Sequence, residues 1–317
     1  MAGRLTARYV AGRLAQLAFV VLGVTVATFG LLHLVPGNPA RTLLGVHATA
    51  GEVAYLSREW GLTRPLPVQY AGYVGRLLHG NLGTSVYYQA PVAGLIGHAL
   101  PVTLAMLAVG AVFGTAFSVP LALLAATRPG RPADHLVRAV PMAGLGMPPF
   151  WIGFILLLVF ALTLRVLPAG GYGSTPAAHL ESLILPGLTV AAVTTPVLVR
   201  SLRLALLEVL GGDFVTAATA RGLTRARVLL RHALRNTMVP AVSVLAVNLG
   251  YLLGGTVVIE NVFGLPGIGR LLLTGILNRD FDIVQSVTLV YALLVVLINL
   301  GADLAYAALD PRVVLGR

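Results

Sequence analysis

Asp213 opens the stretch DFVTAATARGLTRARVLLRHALRNTMVP, residues 213–240. From position 216 it holds five arginines, one histidine and no acid, and the chain on either side is almost purely apolar. These residue types suit recognition rather than bond-making. Asp213 can cap a helix over FVTAATAR, whose small side chains let a partner approach closely. Gly222 can end that helix in a left-handed turn. Thr224 can then cap a second helix, RARVLLRHALRN, before Pro240 opens the next apolar run. In that second helix Arg227, Arg231 and Arg235 fall at i, i+4 and i+8 on one face, with Val228, Leu230 and Leu234 elsewhere. The order of residues describes a docking knob. The charge alone has a second reading, as the arginine excess that orients membrane proteins.

Other chemistry is thinly supplied. The chain has no cysteine, so no disulfide, thiolate metal site or cysteine nucleophile is available. All 22 basic residues are arginine. A Walker A loop needs a lysine on the β- and γ-phosphates, so any ATP that drives this chain must bind elsewhere. His33, His79, His98 and His135 are scattered without paired metal-ligand spacing. No Gly-x-Ser-x-Gly occurs, and serines such as Ser118 have no evident histidine partner. Glu260 and Asp303 lie at or near the ends of apolar segments, where a functional carboxylate and a snorkelling structural one are equally expected. Pro148 and Pro149, beside Gly144 and Gly146, interrupt another apolar run. Such a break either borders a translocation path or is a packing kink.

The elements that must position these residues are membrane helices. The 317-residue chain is 57% hydrophobic and only 10% charged, with a mean hydropathy of +0.88. A soluble domain carries about a quarter charged residues, so the solvent implied is a bilayer. Stretches of about 20 apolar residues lacking Asp, Glu and Arg predict six spans. They lie near 14–35, 100–126, 139–164, 182–199, 237–259 and 283–307, the fourth short but extendable. With the N-terminus inside, only Arg41, Arg58, Arg64, Arg76, Arg165, Arg270 and Arg279 fall outside, and the other fifteen of the 22 fall inside. That asymmetry places both termini in the cytoplasm. The first apolar run is longer than a signal-peptide core and no A-x-A site follows it, so it stays as a helix. Residues 213–240 then form a cytoplasmic loop between the fourth and fifth spans. They lack aromatic stacking residues and lie beside the membrane, which argues against nucleic acid as the partner.

The outer segment 36–99 is the largest piece outside the membrane and carries Tyr70, Tyr73, Tyr87 and Tyr88. An interfacial aromatic belt over amphipathic helices is the simpler reading of the tyrosines. A platform for a substrate-delivering protein is the alternative for the segment as a whole. No internal repeat is evident, which weighs against a transporter built of inverted halves.

Residues 213–240 resemble the EAA loop of ABC importer permeases, in the form carried by the dipeptide, oligopeptide and nickel branch. Ala217, Ala218 and Gly222 match the two alanines and the glycine of that motif; Thr216 stands where the motif has glutamate, so no acidic anchor exists there. Five further fragments are similar to that branch in order: LVPGNPA (34–40), WGLTRPLPVQYAGYVGRLLHGNLGTS (60–85), GLGMPPFWIGFILLLVFAL (144–162), VIENVFGLPGIGRLLL (258–273) and YAALDPR (306–312). The resemblance implies an all-α protein with the six-helix type I ABC importer fold. It divides into residues 1–96, a first helix plus extracytoplasmic segment, and 97–310, a permease domain with its coupling loop at 208–240. It implies a multi-pass, non-catalytic subunit of a bacterial inner membrane, with no cofactor of its own and ATP and Mg on partner subunits. The implied partners are a second homologous permease, two cytoplasmic ATPases, an extracytoplasmic binding protein and membrane lipid. The residues that would dock the ATPase are Asp213, Thr216, Ala217, Ala218, Ala220, Arg221, Gly222 and Leu223; Pro148, Pro149 and Asp303 are candidates to line the path. Di- or oligopeptides are the expected cargo, with nickel chelates or glutathione as alternatives. Two readings of other classes stand beside this one: an ion-coupled secondary transporter, which needs carboxylates deep in the spans, and an intramembrane enzyme, which needs a facing nucleophile and base.

Overall fold

The computed structural model describes residues 7–34, 39–44, 48–59, 61–224 and 227–309. Residues 35–38, Trp60, Arg225 and the DPR tail at 310–312, all within motifs read from the sequence, lie outside that set. Almost everything described is helical. The helices are α1 (Ala7–Leu34), α2 (Pro39–Leu44), α3 (Ala50–Glu59), α4 (Leu66–Leu78), α5 (Val92–Thr127), α6 (Pro132–Leu145), α7 (Pro149–Leu156), α8 (Pro176–Leu210), α9 (Asp213–Ala220), α10 (Leu234–Val262), α11 (Ile268–Leu277) and α12 (Phe281–Leu309). Two π-helical stretches, Leu157–Thr163 and Val228–Ala233, continue α7 and lead into α10. Strands β1 (Thr84–Ser85) and β2 (Ala90–Pro91) form a minimal antiparallel hairpin.

Five helices are long and apolar enough to cross a bilayer: Ala11–Leu31, Val92–Thr127, Pro176–Leu210, Ala241–Val262 and Phe281–Ala305. The expected span at 139–164 takes another form. Pro148 adopts φ −58 and ψ 139, the extended conformation that a following proline enforces, and so separates α6 from α7. What remains is the shorter apolar helix Pro149–Thr163. The fourth segment is longer than its expected core: α8 has 35 residues, about 52 Å at 1.5 Å per residue, against about 30 Å of hydrocarbon.

The chain divides into two compact units. One comprises Thr103–Leu265 with the described residues of 1–9 and 297–317. Its centre is α8, whose apolar window is 67% buried. Thr175 caps α8, its Oγ accepting from Ala178 N at 3.2 Å, and Pro176 follows at a first-turn position where no N–H is needed. Glycines set how closely α5 and α8 approach. A Cβ on Gly187 would come within 2.5 Å of Val109 Cγ1, and one on Gly114 within 2.5 Å of Thr194 Oγ1. Small residues at membrane helix crossings allow such contact where no hydrophobic effect drives association. Ala122, Ala126, Leu202, Leu206, Ala233 and Ala241 form one buried cluster, which joins α5, α8 and α10. Ala125, Val137 and Val199 form another, which joins α5, α6 and α8. Glu260 is completely buried, and Thr103 Oγ1 donates to its Oε1 at 2.6 Å. Ser118 Oγ lies 3.4 Å from the Thr195 carbonyl, buried among helices rather than facing a base.

The second unit comprises Val10–Val102 and Pro266–Val296. Here α4 lays an aromatic face on α1. Thr25 Oγ1 is 3.0 Å from the Tyr70 hydroxyl, and the Phe29 ring lies 5.4 Å from Tyr70 and 6.3 Å from Tyr73. Tyr73 is only 5% exposed, so it is a helix-packing residue and not part of an aromatic belt, whereas Tyr87 and Tyr88 are 56% and 43% exposed. The hairpin is fastened to the start of α12. Asp280 Oδ2 accepts from Ser85 Oγ at 2.6 Å and Tyr87 N at 3.0 Å, Asp282 Oδ2 accepts from Thr84 N at 3.0 Å, and Ser286 Oγ donates to the Leu82 carbonyl at 2.8 Å. Gly83 sits at φ +84 with the Asp282 carboxylate where a Cβ would stand, so both its conformation and its contact require glycine.

Candidate functional site

The loop expected to dock a partner joins two membrane-length helices. Helix α8 ends at Leu210, Gly211 and Gly212 turn the chain, and α9 starts at Asp213. Three alanines favour helix in α9. Gly222 has φ +83, the left-handed region, and Leu223 N donates to the Ala218 carbonyl at 3.2 Å. A left-handed residue bridged by a bond back to the last helical turn is a Schellman termination. It explains why the glycine stands two residues beyond α9. Thr224 Oγ1 accepts from Arg227 N at 3.4 Å and opens the next helical stretch.

Asp213, Ala220, Arg221 and Gly222 are exposed, and Ala218 and Leu223 are half-buried; the side chains of Thr216 and Ala217 lie outside the described set. The structure therefore brings the named residues into one short helix and turn. Past that turn it departs from the sequence reading. Val228–Ala233 is π-helical and runs without interruption into α10, so Pro240 falls within a helix instead of opening one.

The other candidates stand apart from this loop in the chain. Pro148 is exposed in the break before α7, and Pro149 is half-buried at its first position. Asp303 is half-buried in α12. Among the described residues no group of three His, Asp or Glu side chains could hold a metal ion.

The sequence reading passed over one polar site. Asp134, on the first turn of α6, is 1% exposed and receives both Arg203 Nε and Nη2 at 2.7 Å. Gly130 N donates to the same carboxylate at 2.9 Å, and Arg138 Nε lies 3.5 Å away. The bonds from Arg203 hold the carboxyl down to about 2, against the cost of desolvation, with help from the Gly130 amide and from the charges of Arg203 and Arg138. The available signal was a single acid among Arg128, Arg131 and Arg138, a position where a carboxylate is strongly stabilised.

Comparisons with known proteins bear on the whole chain. The family described as binding-protein-dependent transport system inner membrane component matches residues 118–315, and its N-terminal membrane component matches residues 6–107. The probable peptide ABC transporter permease protein y4tP of Sinorhizobium fredii is 38% identical over 308 residues, covering 96% of this chain and 98% of that protein. The glutathione transport system permease protein GsiC of Salmonella typhimurium is 35% identical over 305 residues, with the same coverage. The dipeptide transport system permease protein DppB of Escherichia coli is 32% identical over 333 residues, again covering 96% and 98%. Among solved structures, a chain of the MetNI methionine ABC transporter in inward-facing conformations aligns with a TM-score of 0.58 and 22% identity, over 69% of this chain and 97% of that one.

Proposed function

The chain belongs to the family of binding-protein-dependent transport system inner membrane components, and we propose that it carries short peptides across that membrane. It is a multi-pass permease subunit of an ABC importer and performs no bond-making step itself. The ion-coupled and intramembrane-enzyme readings lapse with that membership. Peptides are the proposed cargo because relatives named for peptide, dipeptide and glutathione transport each align along nearly the full chain.

A second homologous permease completes the pathway, two cytoplasmic ATPases bind ATP and Mg, and an extracytoplasmic protein delivers substrate. Both termini lie in the cytoplasm in this reading, which the arginine asymmetry supports. Residues 97–310 form the permease domain proper and residues 1–96 precede it with the outer segment. The ATPase docks on residues 213–223. One observation carries this assignment: a short helix and left-handed Gly222 turn, with Asp213, Ala220, Arg221 and Gly222 exposed, stand between two membrane-length helices. ATP closure of the two ATPases displaces the knob, and the attached helices rock between inward- and outward-facing states as rigid bodies. The break at Pro148 and Pro149 and the carboxylate of Asp303 border the path.

Gentle extraction of the tagged chain from its native membrane tests the assembly. Walker-type ATPases and a second permease should co-purify, with vanadate-sensitive ATP hydrolysis in the same sample. Recovery of the chain alone, under conditions that keep other membrane complexes intact, would overturn the assignment.

A further inference from the structure

We infer that Asp134 and Arg203 are a positioning pair that fixes where the docking knob is presented. The inference rests on the assignment of residues 213–223 as the ATPase contact. Asp213, Ala220 and Arg221 are exposed, and α9 follows directly on the helix before it, so the end of that helix bears on where α9 is presented. That helix is α8, which continues unbroken from Arg203 to Leu210, and α9 begins two glycines later.

Near Arg203 the contacts that hold α8 are otherwise apolar. Val199 packs with Val137 and Ala125 one turn before Arg203, and Leu202 and Leu206 are buried on either side of it. Dispersion and burial are non-directional. The Asp134–Arg203 contact is directional, because two parallel N–H···O bonds at 2.7 Å demand a coplanar guanidinium and carboxylate. Asp134 is itself fixed by Gly130 N at the start of α6. Three arginines lie closer in sequence, yet both oxygens of Asp134 face the one on α8, 69 residues away. A carboxylate required only to offset local charge would not need that partner. The pair thus locks the rotation and tilt of α8 immediately before the knob.

The composition supplies a clean test. The chain has neither lysine nor cysteine, so a thiol–amine cross-linker placed at Ala220→Cys can join only a partner's amines, the chain's own N-terminus aside. The complex with its co-expressed ATPases is cross-linked for the parent, Asp134→Asn, Arg203→Gln and the exchanged Asp134→Arg/Arg203→Asp chain. Insertion and melting temperature are read in parallel. Each single variant should lower the ATPase adduct at least about 3-fold with insertion unchanged, and the exchange should restore it. Parent-level adducts in both single variants, or a lowered melting temperature with the adduct unchanged, would overturn the inference. Loss of insertion in both would make the pair a folding determinant and overturn it equally. If the parent itself yields no ATPase adduct, the docking assignment fails, and this inference with it.

Discussion

Valine at position 222 separates backbone strain from steric overlap. Gly222 sits at φ +83, and among the described residues no heavy atom lies within 4 Å of where a Cβ would stand. The penalty is therefore conformational: about 1–2 kcal/mol for an ordinary L-residue in the left-handed region, and more for a β-branched one. Relaxing the turn instead gives up the Leu223 N to Ala218 carbonyl bond, about 0.5–1.5 kcal/mol net. The population that presents α9 correctly falls about 5- to 30-fold by the first route and about 2- to 13-fold by the second. Asparagine tolerates this region and should be nearly silent. Gly80 is the control, because at φ +73 with equally open surroundings Gly80→Val imposes the same strain outside the loop. The assay is ATP hydrolysed per substrate delivered in proteoliposomes, with insertion and thermal stability followed alongside. Uncoupling should grow from Gly222→Asn through Gly222→Ala to Gly222→Val and be absent in Gly80→Val. Transport by Gly222→Val at the parent level, or equal uncoupling by Gly80→Val, would refute the placement of the coupling turn.

Thr103→Val keeps the shape of the side chain but removes the donor to buried Glu260 Oε1; it should destabilise the detergent-solubilised chain by about 1–3 kcal/mol, seen as a lower melting temperature. Asp280→Ala removes the acceptor for Ser85 Oγ and Tyr87 N, and amide exchange across residues 84–91 should accelerate while the membrane helices keep their protection. Gly187→Val places side-chain atoms where Val109 packs and should cost about 1–3 kcal/mol by overpacking. The Asp134 carboxyl is held at about 2, below its ordinary 3.8, so its pairing stabilises fully above about pH 4 and is lost as the pH falls through 2. The stability difference between parent and Asp134→Asn should thus be flat from pH 5 to 8 and shrink only below about pH 4.

Much of the architecture was readable because a bilayer makes hydrophobic length and arginine placement decisive. The Gly222 turn was readable for a local reason, since few residues other than glycine enter that conformation. The third span was not, because two prolines in an apolar run mark a break without saying whether the helix resumes. The π-helical approach to α10 was hidden as well; it is one hydrogen-bond register away from an α-helix and leaves no trace in the apolar pattern. Tyr73 looked like a membrane-interface tyrosine until α1 was seen to cover it. Asp134, Glu260 and Asp280 have partners 69, 157 and 195 residues away, separations at which local spacing carries no information.

The fastening of the 84–91 hairpin also has a history in time. Its acceptors, Asp280 and Asp282, are made almost 200 residues after the donors they hold. At about 5–20 residues per second of synthesis, Ser85 waits about 10–40 s for its partner. During that interval the tyrosine-bearing tip is untethered, and it becomes fixed only when the last long helix begins to enter the membrane. The bond between Ser85 and Asp280 is therefore a late event, one that closes only after synthesis has passed residue 280.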